Sequence, residues 1–156
     1  MVDTNEKLIL MDLEAQSGDE VIRLLCARLE EEGYIGPDYC QAVLEREKEY
    51  PTGLPSEGAP AAIPHAFSGD VRRTGTAIAV LKNPVPFRNM AADDETVEVE
   101  LVFLLANASG ADAHLDALQE LMDCMSRPSL LRAVRNARSR EEIVEIFRNA
   151  GDYPEE

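Results

Sequence analysis

Tryptophan is absent from this sequence, and aromatic residues of all kinds make up only 5% of its 156 residues. Its core must therefore rest on Leu, Ile, Val, Ala and Met. Basic residues are also scarce: 15 Lys and Arg stand against 30 Asp and Glu, a formal net charge of −15. Such a surface repels nucleic acid phosphates and anionic membranes, and it steers a basic protein partner. The same charge also serves solubility alone. No run approaches the ~18 apolar residues of a membrane span. The opening stretch MVDTNEKLILMDLEAQSGDE is acidic and lacks the basic region and long apolar core of a secretory signal. A cytoplasmic chain with no nucleic acid partner and no direct membrane insertion is expected.

Other absences narrow the chemistry. The three cysteines, Cys26, Cys40 and Cys124, are odd in number and far apart. They suit a reducing compartment, give no metal-site spacing, and read as small buried apolar residues. There is no GxxxxGK[ST] loop for a nucleoside triphosphate. Ser56 and Ser68 lack the glycine pattern of a nucleophile elbow. Two histidines without a nearby cysteine do not make a structural zinc site. The carboxylates are spread over helix faces, so no glycosidase pair stands out. Neither a metal nor a cofactor is expected.

What remains is an ordinary globular composition, 45% apolar and 29% charged. The length fits a single domain over residues 1–156, with the ordered part over about 5–150. Leu8 to Leu13 reads as a first strand. Val21, Leu24, Leu25 and Leu29 recur at helical spacing, so Asp19 to Glu32 reads as a helix capped by Ser17 or Asp19 and ended by Gly33. A second helix starts at Pro37 and stops before Pro51. Pro51 to Gly58 reads as a loop. Ala61 to Ile63 is a small strand ending at Pro64-His65. Thr76 to Leu81 is a strand broken by Asn83-Pro84, with Val85 to Phe87 as a short edge.

Further on, Val97, Val99, Leu101 and Phe103 alternate with Glu98, Glu100 and Val102 as the two faces of a strand. Asn107 to Asp112 is a loop. Helices follow at Asp112 or Ala113 to Met125, Pro128 to Ala137 and Ser139 to Phe147, the last with a capping box of Ser139 and Glu142. A frayed tail closes the chain. The fold class expected is α/β with mixed character: a mixed sheet sandwiched between helices in three α/β/α layers.

Chemistry centres on the two histidines, His65 and His114. Imidazole is neutral and nucleophilic near neutral pH. His65 stands at the carboxyl end of a strand, where α/β sheets present their sites. His114 lies in the first turn of a helix, where anions are favoured. Arg46 precedes the loop leading to His65, and a guanidinium binds phosphate oxygens bidentately. On pattern alone, a surface or hydrogen-bonded structural role fits each histidine better. A solvated helix face paired with Glu45 or Glu49 likewise fits Arg46 better. The basic cluster Arg127, Arg132, Arg135, Arg138 and Arg140 either balances nearby acidic residues or docks an acidic partner.

The run EREKEYPTGLPSEGAPAAIPHA, Glu45 to Ala66, resembles the active-site region of enzyme IIA domains of the bacterial sugar phosphotransferase system, in the fructose–mannitol class. The shared pattern is Arg-Glu, then Thr-Gly, then small apolar residues ending in Ile-Pro-His. The downstream HLDALQELM and SREEIVEIF extend the match from about Val21 to Phe147. The resemblance implies a phosphorylated His65, an assisting His114, a phosphoryl-binding Arg46, and a loop at Thr52 and Gly53 beside the site. It also implies a phosphotransferase without cofactor that accepts from the phosphocarrier protein HPr. Such a protein passes the group to an enzyme IIB domain, and enzyme IIC then carries the sugar across the membrane. Tyr50-Pro51-Thr52-Gly53-Leu54 is most similar to galactitol-type members. A regulatory relative, whose phosphorylation state controls binding to other proteins, would carry the same His65.

Overall fold

Val21, Leu25 and Leu29 recur every fourth residue and are fully buried, which is why Gly18–Glu31 winds into the first helix, α1. The Ser17 hydroxyl accepts from the Glu20 amide at 3.2 Å, and the Glu20 carboxylate accepts from the Gln16 amide at 3.2 Å. The same arrangement starts the last helix, where Ser139 accepts from Glu142 at 3.1 Å and Glu142 accepts from Arg138 at 2.7 Å. In both, the returning carboxylate bonds the residue before the cap rather than the cap itself. Gly33 closes α1 with φ 83, the left-handed turn that glycine adopts without strain.

The computed structural model describes residues 2–67, 69–108 and 111–155, with backbone alone for 111–115. Ser68, one of the serines weighed as a nucleophile, lies outside the described residues. The elements are β1 (Ile9–Leu13), α1, α2 (Tyr39–Glu49), β2 (Gly53–Leu54), β3 (Ala61–Ala62), β4 (Gly75–Arg88), β5 (Thr96–Ala106), α3 (Ala111–Met125), α4 (Pro128–Asn136) and α5 (Arg140–Arg148). The sheet runs β1-β4-β5-β3-β2. β1 is parallel to β4 and β3 to β5, while β4–β5 and β2–β3 are antiparallel. Ala77, Ala79 and Leu81 of β4 face the core under α1 and α2, and Ile78 and Val80 face the core under α3, α4 and α5. This is the expected mixed sheet between two helical layers. No helix among the described residues is long and apolar enough to cross a membrane.

Several local expectations need correction. α2 begins at Tyr39, not Pro37, and Asp38 caps it without a side-chain bond; the Asp38 amide donates instead to the Asp70 carboxylate at 2.7 Å. The stretch expected to be loop after Pro51 contains β2. Asn83-Pro84 does not break β4. The ladder to β5 shifts register between Val80 and Val85, so Pro84 sits in the irregular stretch. Pro86 lies past the end of β1, where no second neighbour needs its missing N–H.

That shift also turns the strand over. Val97 and Val99 join the core under α1 and α2, whereas Leu101 and Phe103 join the other core, so these four do not share a face. β1 slips similarly between Leu10 and Leu13, with Asp12 at φ 51. The tail is fastened rather than frayed: Arg127 donates to the Tyr153 carbonyl and pairs with Glu155 at 3.0 Å. Arg140 donates to the Ile9 carbonyl at 2.8 Å and Arg135 pairs with Glu100 at 3.4 Å. Three members of the basic cluster are therefore engaged within the fold.

Candidate functional site

Pro60 and Pro64 bracket β3, and Pro64 has no N–H to continue the ladder. Pairing resumes at His65, which bridges Leu105 of β5 in the parallel sense. The Pro64 carbonyl accepts from the Leu105 amide at 3.1 Å. His65 is thus held at the carboxyl end of β3, as the strand-end reading expects. Tyr39, fully buried at the start of α2, secures the residue that follows. Its hydroxyl donates to the Leu105 carbonyl at 2.8 Å and accepts from the Ala66 amide at 3.2 Å.

His65 is only 6% exposed. Its Nδ1 lies 2.7 Å from the Ile63 carbonyl oxygen. A carbonyl oxygen only accepts, so Nδ1 carries the proton and Nε2 carries the lone pair. Burial holds the imidazole below its usual 6.5, and the Arg46 guanidinium pushes the same way; the Ile63 bond opposes both. The ring therefore favours its neutral form.

Arg46, on the last turn of α2, is sandwiched between aromatic rings. Its guanidinium carbon lies 4.4 Å from the Tyr50 centroid and 4.7 Å from that of Phe67. The Phe67 ring meets His65 edge-on, with centroids 6.0 Å apart at 84°. Among the described residues Arg46 pairs with neither Glu45 nor Glu49, and its buried Nε has no hydrogen-bond partner. An unsatisfied buried donor costs about 1–3 kcal/mol, which an incoming anionic oxygen would relieve.

His65 and Arg46 line a cleft of about 520 Å³. Glu49 and Tyr50 from the end of α2, Pro51 and Thr52 after it, the Met90–Asp94 turn between β4 and β5, and Leu118 of α3 complete the walls. Gly53 ties that turn in place: its carbonyl accepts from the Met90 amide at 2.8 Å. A Cβ at Gly53 would stand 2.6 Å from the Arg88 carbonyl oxygen, so only glycine allows this close approach. Thr52 sits 2% exposed behind His65, its amide and hydroxyl both donating to Glu47 at 2.8 Å. Burial pushes the Glu47 carboxyl up to about 7 against the lowering effect of those bonds and of Arg88. His114 falls in the first turn of α3, and its side chain lies outside the described ones.

His65, Arg46, Thr52 and Gly53 therefore meet at one end of the sheet. The sequence reading missed Tyr39, Glu47, Tyr50 and Phe67. Tyr50 and Phe67 carried a usable signal, since a chain so poor in aromatics places both within five residues of a candidate. Glu47 is the Glu of the Arg-Glu pair in the shared pattern, but in a helical EREKE run its carboxylate reads as solvated.

The EIIA 2 family of the phosphoenolpyruvate-dependent sugar phosphotransferase system matches residues 4–150. The chain belongs to this family. It is 34% identical over 104 residues, 67% of its length, to the transcriptional regulator ManR of Bacillus subtilis, of which it spans 14%. It is 25% identical over 140 residues, 89% of its length, to the mannitol-specific EIICBA component of Escherichia coli, of which it spans 21%. The chain thus spans about a fifth or less of the length of these curated relatives.

Among solved structures, it resembles enzyme IIA mannitol of Escherichia coli, determined in complex with phosphorylated enzyme IIB mannitol. The TM-score is 0.78 and the identity 25%, over 97% of this chain and 99% of that one. The nitrogen regulatory protein IIA-Ntr of Neisseria meningitidis gives a TM-score of 0.76 at 27% identity, over 92% and 95%.

Proposed function

We propose that the chain, acting as a single carrier domain, accepts a phosphoryl group on Nε2 of His65 from the phosphocarrier protein HPr and passes it to an enzyme IIB domain. The observation carrying this reading is the 2.7 Å contact from Nδ1 to the Ile63 carbonyl, beside an Arg46 Nε that has no partner. It supports a neutral imidazole with its lone pair on Nε2 next to a guanidinium ready for an anion.

In the step itself, the Nε2–P bond forms as the donor's N–P bond breaks, and that bond's electron pair returns to the donor imidazole. The His65 proton stays on Nδ1 with the Ile63 carbonyl. Charge on the equatorial oxygens is met by Arg46, since positioning and electrostatics carry phosphoryl transfer. His114 is proposed to donate a hydrogen bond to the group; Leu118, four residues later on the same helix, lines the cleft and supports that placement. The Tyr50-Pro51-Thr52-Gly53-Leu54 wording supports a galactitol-type sugar pathway ending in enzyme IIC. No cofactor takes part in this scheme, and the net charge of −15 steers partners with basic rims.

The test is to incubate the protein with phosphoenolpyruvate, enzyme I and HPr and follow its mass. One acid-labile phosphoryl group is expected, absent from His65→Ala. Labelling of His65→Ala would remove the assignment. The likeness to ManR and IIA-Ntr favours a second reading, in which phosphorylation controls binding to other proteins. Transfer from the labelled chain to a galactitol-type IIB domain supports the transport reading; a label retained in its presence supports the regulatory one.

A further inference from the structure

Three hydrogen bonds in series lead away from the His65 ring. Nδ1–H donates to the Ile63 carbonyl at 2.7 Å, the Ile63 amide donates to the Thr52 hydroxyl oxygen at 3.2 Å, and that hydroxyl donates to Glu47 Oε1 at 2.8 Å. The other Glu47 oxygen, Oε2, accepts from the Thr52 amide at 2.8 Å. β3 ends at Ala62 and Pro64 has no N–H, so the Thr52 hydroxyl is what anchors the backbone of Ile63 beyond the ladder.

The direction of each bond follows from the chemistry of the last acceptor. A carboxylate only accepts. Glu47 therefore takes the single proton of the Thr52 hydroxyl and turns the oxygen lone pairs toward the Ile63 amide. Both carboxylate oxygens are used, one on the amide and one on the hydroxyl of the same residue. A carboxamide of the same shape satisfies one of these donors and opposes the other with its own N–H. Arg88, whose guanidinium donates to the Glu47 carbonyl at 3.4 Å and to the Lys48 carbonyl, holds the end of α2 that presents Glu47.

We propose that Glu47 is a positioning residue for phosphoryl transfer: it orients the Thr52 hydroxyl, which anchors Ile63, whose carbonyl keeps the His65 proton on Nδ1 and leaves Nε2 as the nucleophile. The proposal rests on the reading of His65 as phosphoryl acceptor. Partners that fix the tautomer of a functional histidine play the same part at metal centres.

The test uses the full chain at a pH above 7, where Glu47 is ionised. Imidazole nitrogen resonances of His65 are recorded for wild type, Glu47→Gln, Thr52→Val and Thr52→Ser, and phosphorylation by phospho-HPr is timed in each. Wild type and Thr52→Ser are expected to keep the Nδ1–H tautomer. Glu47→Gln and Thr52→Val are expected to gain the Nε2–H form and to lose about tenfold in kcat, with KM for HPr held. The double variant is expected to be no slower than the slower single one, because both break one chain.

An unchanged tautomer in Glu47→Gln, additive losses, or a loss confined to KM overturns the proposal. If Glu47→Gln does not fold, the contrast of Thr52→Val with Thr52→Ser decides in its place, and equal behaviour of the two overturns it. A wild type that takes no phosphoryl group defeats the reading of His65 as acceptor, whereas the tautomer series still decides whether Glu47 governs the ring.

Discussion

The Arg46 guanidinium carbon lies 4.7 Å from the centre of the Phe67 ring, two residues beyond His65. Tyr50 flanks the same guanidinium at 4.4 Å, and the Phe67 and His65 rings meet in a T-shaped arrangement. One aromatic side chain thus touches both the proposed nucleophile and the cation proposed to serve it. A planar cation between ring faces keeps its orientation without a carboxylate to neutralise it, so its charge remains available to a substrate.

Arg46→Ala is expected to lose about 2 kcal/mol of transition-state stabilisation, roughly 30-fold in the rate of phosphorylation. Arg46→Lys keeps the charge but loses the flat face and the fork, and is expected to recover only part of the rate. Rapid-quench measurements with phospho-HPr decide this. A lysine variant as fast as wild type would show that neither stacking nor bidentate geometry matters.

The His65 ring stays neutral to lower pH than a free imidazole, because burial and Arg46 both disfavour its charged form. Charging of His65 is expected to slow phosphorylation only below about pH 6.5, so a decline that already sets in near pH 7 reports protonation of Glu47 instead. Titration of the ring protons by NMR provides the matching midpoint. A midpoint at or above 6.5 would contradict the buried environment.

Glu47 works in the opposite sense. Its folded carboxyl titrates near 7 against 4.5 when free, so between these values the folded chain binds more protons than the unfolded one. Wild type should lose stability relative to Glu47→Gln as pH climbs from 4.5 to 7, by no more than about 3.5 kcal/mol. Water reaching the half-buried carboxyl reduces that figure. Urea denaturation of both proteins across the window reads the difference. Parallel curves would refute a raised carboxyl.

Tyr39→Phe strips one hydroxyl from a dry site and leaves the Leu105 carbonyl and Ala66 amide without it. A loss of about 1–3 kcal/mol is expected. It should appear as a lower urea midpoint with unchanged slope. Slower phosphorylation should accompany it, because Ala66 directly follows His65. Wild-type stability would mean that other groups satisfy both backbone atoms.

Much of this was legible in the sequence because helices announce themselves locally. The apolar spacing of α1, the two serine caps and the stop before Pro51 are short-range signals, and they placed the helices to within two residues. Asn83-Pro84 was misread because its tolerance rests on the register shift between β4 and β5, which only the pairing of the two strands fixes. The facing of Val99 and Leu101 failed for the same kind of reason, since a shift in the partner strand set it. At the site, His65 and Arg46 stood out as residue types able to handle phosphate. Glu47 and Tyr39 did not, because their roles consist of bonds to backbone atoms of segments that only the fold brings near.

The slip in β1 has a consequence for how copies of this molecule meet. β1 and β2 are the two rims of the sheet, and an uncovered rim offers a row of amides and carbonyls to any passing strand. Here one rim is interrupted at Asp12, turned to φ 51, and the other is only two residues long. Neither offers enough regular backbone to template a foreign strand. With its apolar faces covered by helices, the sheet thus offers a poor template at either rim for edge-to-edge polymerisation.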